Sequence, residues 1–202
     1  MTDRRLQRLE RAVAQTEALT RNRPRTGLRH DDAPEDAGTL ATDDAVGFDP
    51  FPLLRSLHRS GVVAVVMGQV AGILHGSQEL TGDLDLLWAG GVEQAGQLAQ
   101  AFASLDATLT DASGVALPRT AAALDISKID FRAATCCGDF CTPALPWRSL
   151  PVEDYLSDPD RVTCDDGTVI RFVRRDALIA MRLGVGRPKD LRRAAELSQT
   201  CG

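Results

Sequence analysis

The 202-residue chain has almost no lysine: Lys128 and Lys189 stand alone among basic residues that are otherwise arginine. That bias is what GC-rich coding produces, so a bacterial source is the expectation, and each lysine's position becomes worth following. The chain has no apolar run of about 18 residues, which excludes a conventional helical membrane span. Its amino terminus is arginine-rich without an apolar core, so it does not read as a secretory signal, and a cytoplasmic location is expected. There is no Gly-x-Ser-x-Gly elbow, His-Glu-x-x-His pair or Walker loop, and hydrolase and P-loop chemistries lose support with them. Surplus positive charge is missing as well. The 28 acidic residues outnumber 23 basic ones, for a net charge of −5, which argues against a general nucleic-acid coat.

What is present is ordinary globular material. Hydrophobic residues at 44% and charged residues at 25% exclude a collagen-like or wholly disordered chain, and the length suits one domain plus a tail. The five cysteines are an odd number, as expected of reduced thiols in a cytoplasm. Cys136, Cys137 and Cys141 cluster, but no second Cys or His pair follows at a zinc spacing, so they read as small buried residues rather than a metal site.

Residues 3–19 read as a helix with Leu6, Leu9 and Val13 on a narrow stripe, suited to a self-association or partner contact rather than a core. From 20 to 47 the periodicity stops. Arginines give way to aspartates between prolines, the pattern of a charged flexible linker. The expected division is therefore 1–46, a helical arm with linker, and 47–202, a globular domain. Within the latter, helices are expected at 51–60, 69–74, 92–105, 177–183 and from Pro188 onward. Strands are expected at 62–67, 84–88 and 128–133, with a hairpin turning on Asp165-Asp166-Gly167. Alternating helices and strands make the class α/β or α+β.

Asp83 and Asp85 lie two apart at the start of a strand and so share a face. Taken alone, Asp-x-Asp in an acid-rich chain reads as a solvated strand edge. Its surroundings change that. A buried strand ends at Gly68, where a small residue lets backbone approach a phosphate, and the helix that follows offers its amino terminus to an anion. Paired carboxylates suit Mg²⁺, and a third acid would allow two ions for in-line phosphoryl chemistry. Asp130, between Ile129 and Phe131 on a later strand, is the chosen third acid, with Asp125 competing.

These residues carry a resemblance. Gly68-Gln69-Val70-Ala71, Leu74-His75-Gly76 and Thr81-Gly82-Asp83-Leu84-Asp85-Leu86-Leu87 resemble the core of the minimal nucleotidyltransferases, closest to the group related to abortive-infection toxins. Asp176 to Arg182, then Gly186-Arg187-Pro188-Lys189-Asp190-Leu191, is similar to that group's carboxy-terminal signature. The resemblance spans roughly residues 50–198. It implies a mixed β-sheet flanked by helices, two Mg²⁺ ions, and transfer of a nucleoside monophosphate from a nucleoside triphosphate to a hydroxyl. The acceptor would be a tRNA end, a protein or a small molecule, and a toxin role would imply an antitoxin-like partner. Asp83, Asp85 and Asp130 would bind metal, Lys189 would be the leading basic residue, and Gly68, Gln69, Arg182 and Arg187 would meet the nucleotide. Two departures stand out. The family has Gly-Gly or Gly-Ser where this chain has Gly68-Gln69, and commonly lysine at the position of Arg182. The first keeps a nucleotide- or partner-binding module on the same fold as the alternative.

Overall fold

The computed structural model describes residues 3–36, 38–147 and 150–199. In chain order the elements are α1 (Arg4–Thr20), α2 (Phe51–Arg59), β1 (Ala64–Val66), α3 (Gly68–His75), β2 (Leu86–Trp88), α4 (Val92–Ala103), β3 (Thr108–Thr110), α5 (Ala121–Leu124), β4 (Lys128–Arg132), β5 (Cys137–Cys141), α6 (Val152–Ser157), β6 (Asp160–Thr163), β7 (Val169–Phe172), α7 (Arg175–Val185) and α8 (Pro188–Gln199). The strands form one seven-stranded sheet in the order β3-β4-β5-β2-β1-β7-β6. It is mixed: β1 runs antiparallel to β2 and parallel to β7, and β2 runs parallel to β5. A mixed sheet flanked by helices is the architecture that the resemblance implies. No helix among the described residues is long and apolar enough to cross a membrane.

The apolar runs account for the centre of the sheet. β2 is buried on both faces, as expected of a central strand in wholly apolar sequence. Trp88, Phe102, Phe131, Phe140 and Phe172 are all essentially inaccessible. Trp88 meets Phe140 edge-on at 5.7 Å between centroids, and Phe102 lies 5.6 Å from Phe131, knitting α4 to the sheet. The expected hairpin is β6–β7, with Val162 opposite Ile170 and the Gly167 N–H returning to the Cys164 carbonyl. Four elements escape the sequence reading: β3, α5, α6 and β5. The last matters most, because it is central and carries Asp139.

Two expectations about the amino-terminal region are corrected. The α1 stripe does not face outward. Leu6, Leu9 and Ala12 are buried, and α1 packs on α3. Nor does the charged stretch run as a flexible linker. Thr42 and Ala45 are 0% exposed. The Arg23 guanidinium donates to the carbonyls of Leu40 and Thr42. The Asp43 carboxylate accepts from the backbone of Thr26 and Gly27, and the Asp43 N–H closes on the Leu28 carbonyl. Three short 3₁₀ turns (His30–Asp32, Thr39–Ala41 and Asp43–Ala45) complete the path. Charged side chains here satisfy backbone groups instead of water, and that use leaves no apolar period to read. The arm and the domain share one core.

Leu9→Ala should therefore destabilise the chain by about 2–4 kcal/mol in a denaturant titration. A helix that merely awaited a partner would show almost no change.

Candidate active site

The site begins where β1 ends. The Met67 N–H bonds to the Asp85 carbonyl at 2.9 Å, extending the β1–β2 ladder to the Asp-x-Asp segment. Gly68 then turns into α3 with φ +61°. A Cβ on Gly68 would stand 1.8 Å from Asp85 Oδ2, so only glycine lets that carboxylate lie against the turn. On the other side, Gly138 of β5 has φ +153°, and a Cβ there would stand 2.0 Å from the Leu84 carbonyl oxygen. The Leu84 N–H donates to the Cys137 carbonyl at 2.9 Å across this contact.

That packing decides which acids meet. β2 and β5 are parallel, with Leu86 beside Phe140, so Asp85 stands beside Asp139. Neighbouring strands lie about 4.8 Å apart. Asp130 pairs with Asp139 on β4, one strand further out, which puts it about 9–10 Å from Asp85 by strand spacing. Asp139 is therefore the acid beside Asp85, and Asp130 lies one strand out, with its carboxylate within 4.8 Å of Asp139 and His30. The Asp130 carboxylate is turned to Lys128 at 2.8 Å. The competing Asp125 caps the exposed Gly91 N–H at 3.2 Å, away from this row. A hint of Asp139 was present in the sequence, since Gly138-Asp139-Phe140 ends a compact run of small and apolar residues. The cysteines around it hid the strand.

Asp83, Asp85, Asp139, Gly68, Lys128 and Lys189 line one cavity of about 580 Å³. Asp83 is fixed by the hydroxyls of Thr39, at 2.8 Å, and Thr81. Asp85 receives no side-chain hydrogen bond or ion pair from a described residue. Burial, with Asp83 and Asp139 facing it, pushes its carboxyl well above the usual carboxylate range. Asp139 moves the other way. Burial opposes its charge, but His30, Asp130 and Lys128 around it hold it below that range. Asp130 is lifted to about 6 by burial and by Asp139.

The basic residues divide into those held by the fold and those turned to the cavity. Arg182 is 5% exposed and donates to the carbonyls of Arg193 and Gly68 and to Gln69 Oε1, at 3.1, 3.3 and 2.8 Å. Burial and the neighbouring Arg193 lower it to about 10. Gln69 is tied down in turn, with Nε2 donating to Ser77 Oγ at 3.0 Å and the Glu79 carbonyl at 2.6 Å. Both residues border the cavity, yet their polar groups brace the Gly68 turn instead of reaching outward, unlike the nucleotide contacts expected of them. Arg187 is paired with Asp190 at 2.6 Å. Lys189, at the start of α8, makes no ion pair with a described residue. Burial, Arg187 and Arg193 together lower its pKa. Lys128 bridges Asp130 and Asp139, at 2.8 and 3.2 Å. Both of the chain's lysines thus line the cavity.

His30, unmarked in the sequence, enters from the amino-terminal segment. Its ring faces Asp31 at 3.3 Å, Asp44 at 3.4 Å and Asp139 at 3.6 Å. Burial opposes its charge, but Asp139, Cys137 and Asp31 outweigh that and raise its pKa to about 11.

No protein-family model matches the chain. No curated protein matches it either. Among solved structures it is similar to an antigenic nucleotidyltransferase-like protein from Paracoccidioides brasiliensis, at 14% identity over 72% of this chain and 71% of that one, with a TM-score of 0.45.

Because the folded pKa of Asp85 is raised, its ionised form costs stability at neutral pH, and the cost fades as the group protonates. Asp85→Asn should stabilise the fold at pH 7 by about 1 kcal/mol or more, with the gain shrinking toward zero as the pH falls to about 4. Paired denaturant titrations at several pH values measure both effects.

Proposed function

We propose that the chain transfers a nucleoside monophosphate group from a nucleoside triphosphate to an acceptor hydroxyl, using Mg²⁺. The observation that carries this reading is the meeting of Asp83, Asp85 and Asp139 on one cavity wall beside the Gly68 turn, with Lys189 on the same cavity. The donor set fits the metal. Three hard carboxylates, one of them without a partner among the described residues and raised in pKa by burial and then by the other two, form a group that repels itself until a cation arrives. Asp83, Asp85 and Asp139 would hold the ions. Bound Mg²⁺ would neutralise phosphate charge and favour the attacking oxygen.

The remaining work falls to the chain itself. The first N–H groups of α3, opening at Gly68, face an anion with the positive end of the helix. Arg182 and Gln69 fix that turn, so the cradle needs no rearrangement as charge develops. Lys189 supplies a cation that no described acid meets at ion-pair distance. His30, Asp130 and Lys128 keep Asp139 ionised, and so ready to hold a cation.

The acceptor class follows from what the basic residues do. Arg174 is paired with Asp158 and Asp176, Arg187 with Asp190, and Arg193 with Glu79. Much of the basic run near the carboxy end is already paired with acids, Arg174 at the surface and Arg193 within the fold, which weakens a tRNA acceptor relative to a protein or small-molecule hydroxyl. A specific observation also favours the second reading, a nucleotide- or partner-binding module. Thr39 and His30, both from the amino-terminal segment, already touch two of the three acids.

Incubation with α-labelled nucleoside triphosphates, Mg²⁺ and lysate separates the readings. Label transfer should fall by at least about 100-fold in Asp83→Ala, Asp85→Ala and Asp139→Ala. Asp130→Ala should keep most of it. Nucleotide binding with no transfer would establish the binding module instead, and transfer that survives Asp139→Ala would return the third-acid role to Asp130.

A further inference from the structure

A second group of ligand-type side chains lies next to the carboxylate row and plays no part in the transfer reading. His30, Asp44 and Cys137 each present one ligand atom, and these atoms all lie within 4.8 Å of one another. Cys137 belongs to the sheet, on β5. His30 and Asp44 belong to the amino-terminal segment laid across it.

The group bears the marks of a binding site. The His30 side chain is nine-tenths buried, yet neither ring nitrogen has a properly formed hydrogen bond. Its contacts at 3.3–3.6 Å are too long for good ones. The ring is nonetheless aimed with purpose. Its Nδ1 edge faces Asp44, while its Nε2 edge faces the carboxylates of Asp31 and Asp139. A metal-binding histidine shows this division, with one nitrogen toward the ion and the other toward an orienting carboxylate. Asp44, in turn, is only 5% exposed at its side chain and is oriented by the Arg132 guanidinium and the His30 N–H. Those bonds leave Oδ1 one lone-pair direction open.

The geometry points to a Zn²⁺ site formed by His30, Asp44 and Cys137, which clasps the amino-terminal segment to β5. One imidazole nitrogen, one carboxylate and one thiolate form a donor set that zinc accepts, and a water would complete four-coordination. The carboxylate and the thiolate balance the ion's charge. The protons of Cys137 and His30 leave to solvent as the metal enters. The clasp lies one residue along β5 from Gly138 and two from Asp139. It would hold His30 and Thr39 against the carboxylate row. The proposal stands whether or not the row transfers nucleotides.

The test uses the full chain, stripped with a chelator and then titrated with Zn²⁺ against a chromogenic competitor. A single equivalent should bind, and His30→Ala and Cys137→Ser should each weaken it at least about tenfold, while Cys164→Ser leaves it unchanged. Co²⁺ in place of zinc should give the unaltered chain a thiolate-to-cobalt charge-transfer band, a readout independent of how well the variants fold. Zinc should also slow tryptic cleavage after Arg25 and Arg29. Absence of the thiolate band, zinc retained in Cys137→Ser, or zinc lost instead in Asp83→Asn would each overturn the assignment. Unchanged cleavage with zinc bound would overturn the clasp.

Discussion

The approach of the Asp83–Asp85 segment to its two neighbours governs the rest of the site. On one side the Asp85 carboxylate lies where a side chain at position 68 would have to be. On the other, the Leu84 carbonyl lies where a side chain at position 138 would have to be. A backbone held this closely on both flanks has little freedom to slide. Its register then sets everything downstream. Asp85 must stand beside Asp139, the Gly68 turn must open α3 at the same place, and Arg182 must reach in to satisfy the Gly68 carbonyl. The like charges gathered there work against stability, as strained functional groups commonly do, and the surrounding core makes up the difference.

The amino-terminal segment adds a third constraint from above. The Thr39 hydroxyl accepts from the Gly82 N–H at 3.1 Å and donates to Asp83, so one short polar side chain positions both the backbone and the carboxylate of the acidic segment. Buried Thr42 and Ala45 anchor that contact. The segment is therefore part of the site's structure, and any large substrate entering the cavity would meet it. Its opposed charges remain local. Asp43 is used by the turn at Thr26 and Gly27, and Asp44 by Arg132 on β4.

Much of this was legible in sequence, for physical reasons that differ by element. β1, β2 and α4 carry continuous apolar or helical patterns, and such patterns survive without tertiary knowledge. The β6–β7 hairpin was marked by its Asp-Gly turn. Gly68 was marked by the end of an apolar strand before a helix, and strand alternation put the Asp83 and Asp85 carboxylates on one face beside it. Asp139 was missed because strand β5 is written in cysteine and glycine. Its strand character comes from lying between β4 and β2, not from its own propensity. Asp130 was chosen for its place between Ile129 and Phe131 on a later strand. That argument identifies a face but says nothing of how many strands separate two residues. The 21–47 segment was misread because its order rests on single side chains bonding to specific carbonyls, a pattern with no period.

The charge balance takes a different meaning once the pairs are known. Several arginines near the carboxy end are paired with acids, Arg174 at the surface and Arg193 within the fold, so the excess of acids over bases is not a uniform negative surface facing a basic tail. At the row of Asp83, Asp85, Asp139 and Asp130, four acids are met by two lysines and one histidine. Lysine differs from arginine here in a way that matters. Its compact ammonium can sit between two carboxylates, as Lys128 does, and it changes pKa readily on burial, as Lys189 does. In a chain that uses arginine nearly everywhere else, both lysines line this cavity, where a flexible, tunable point charge is of use.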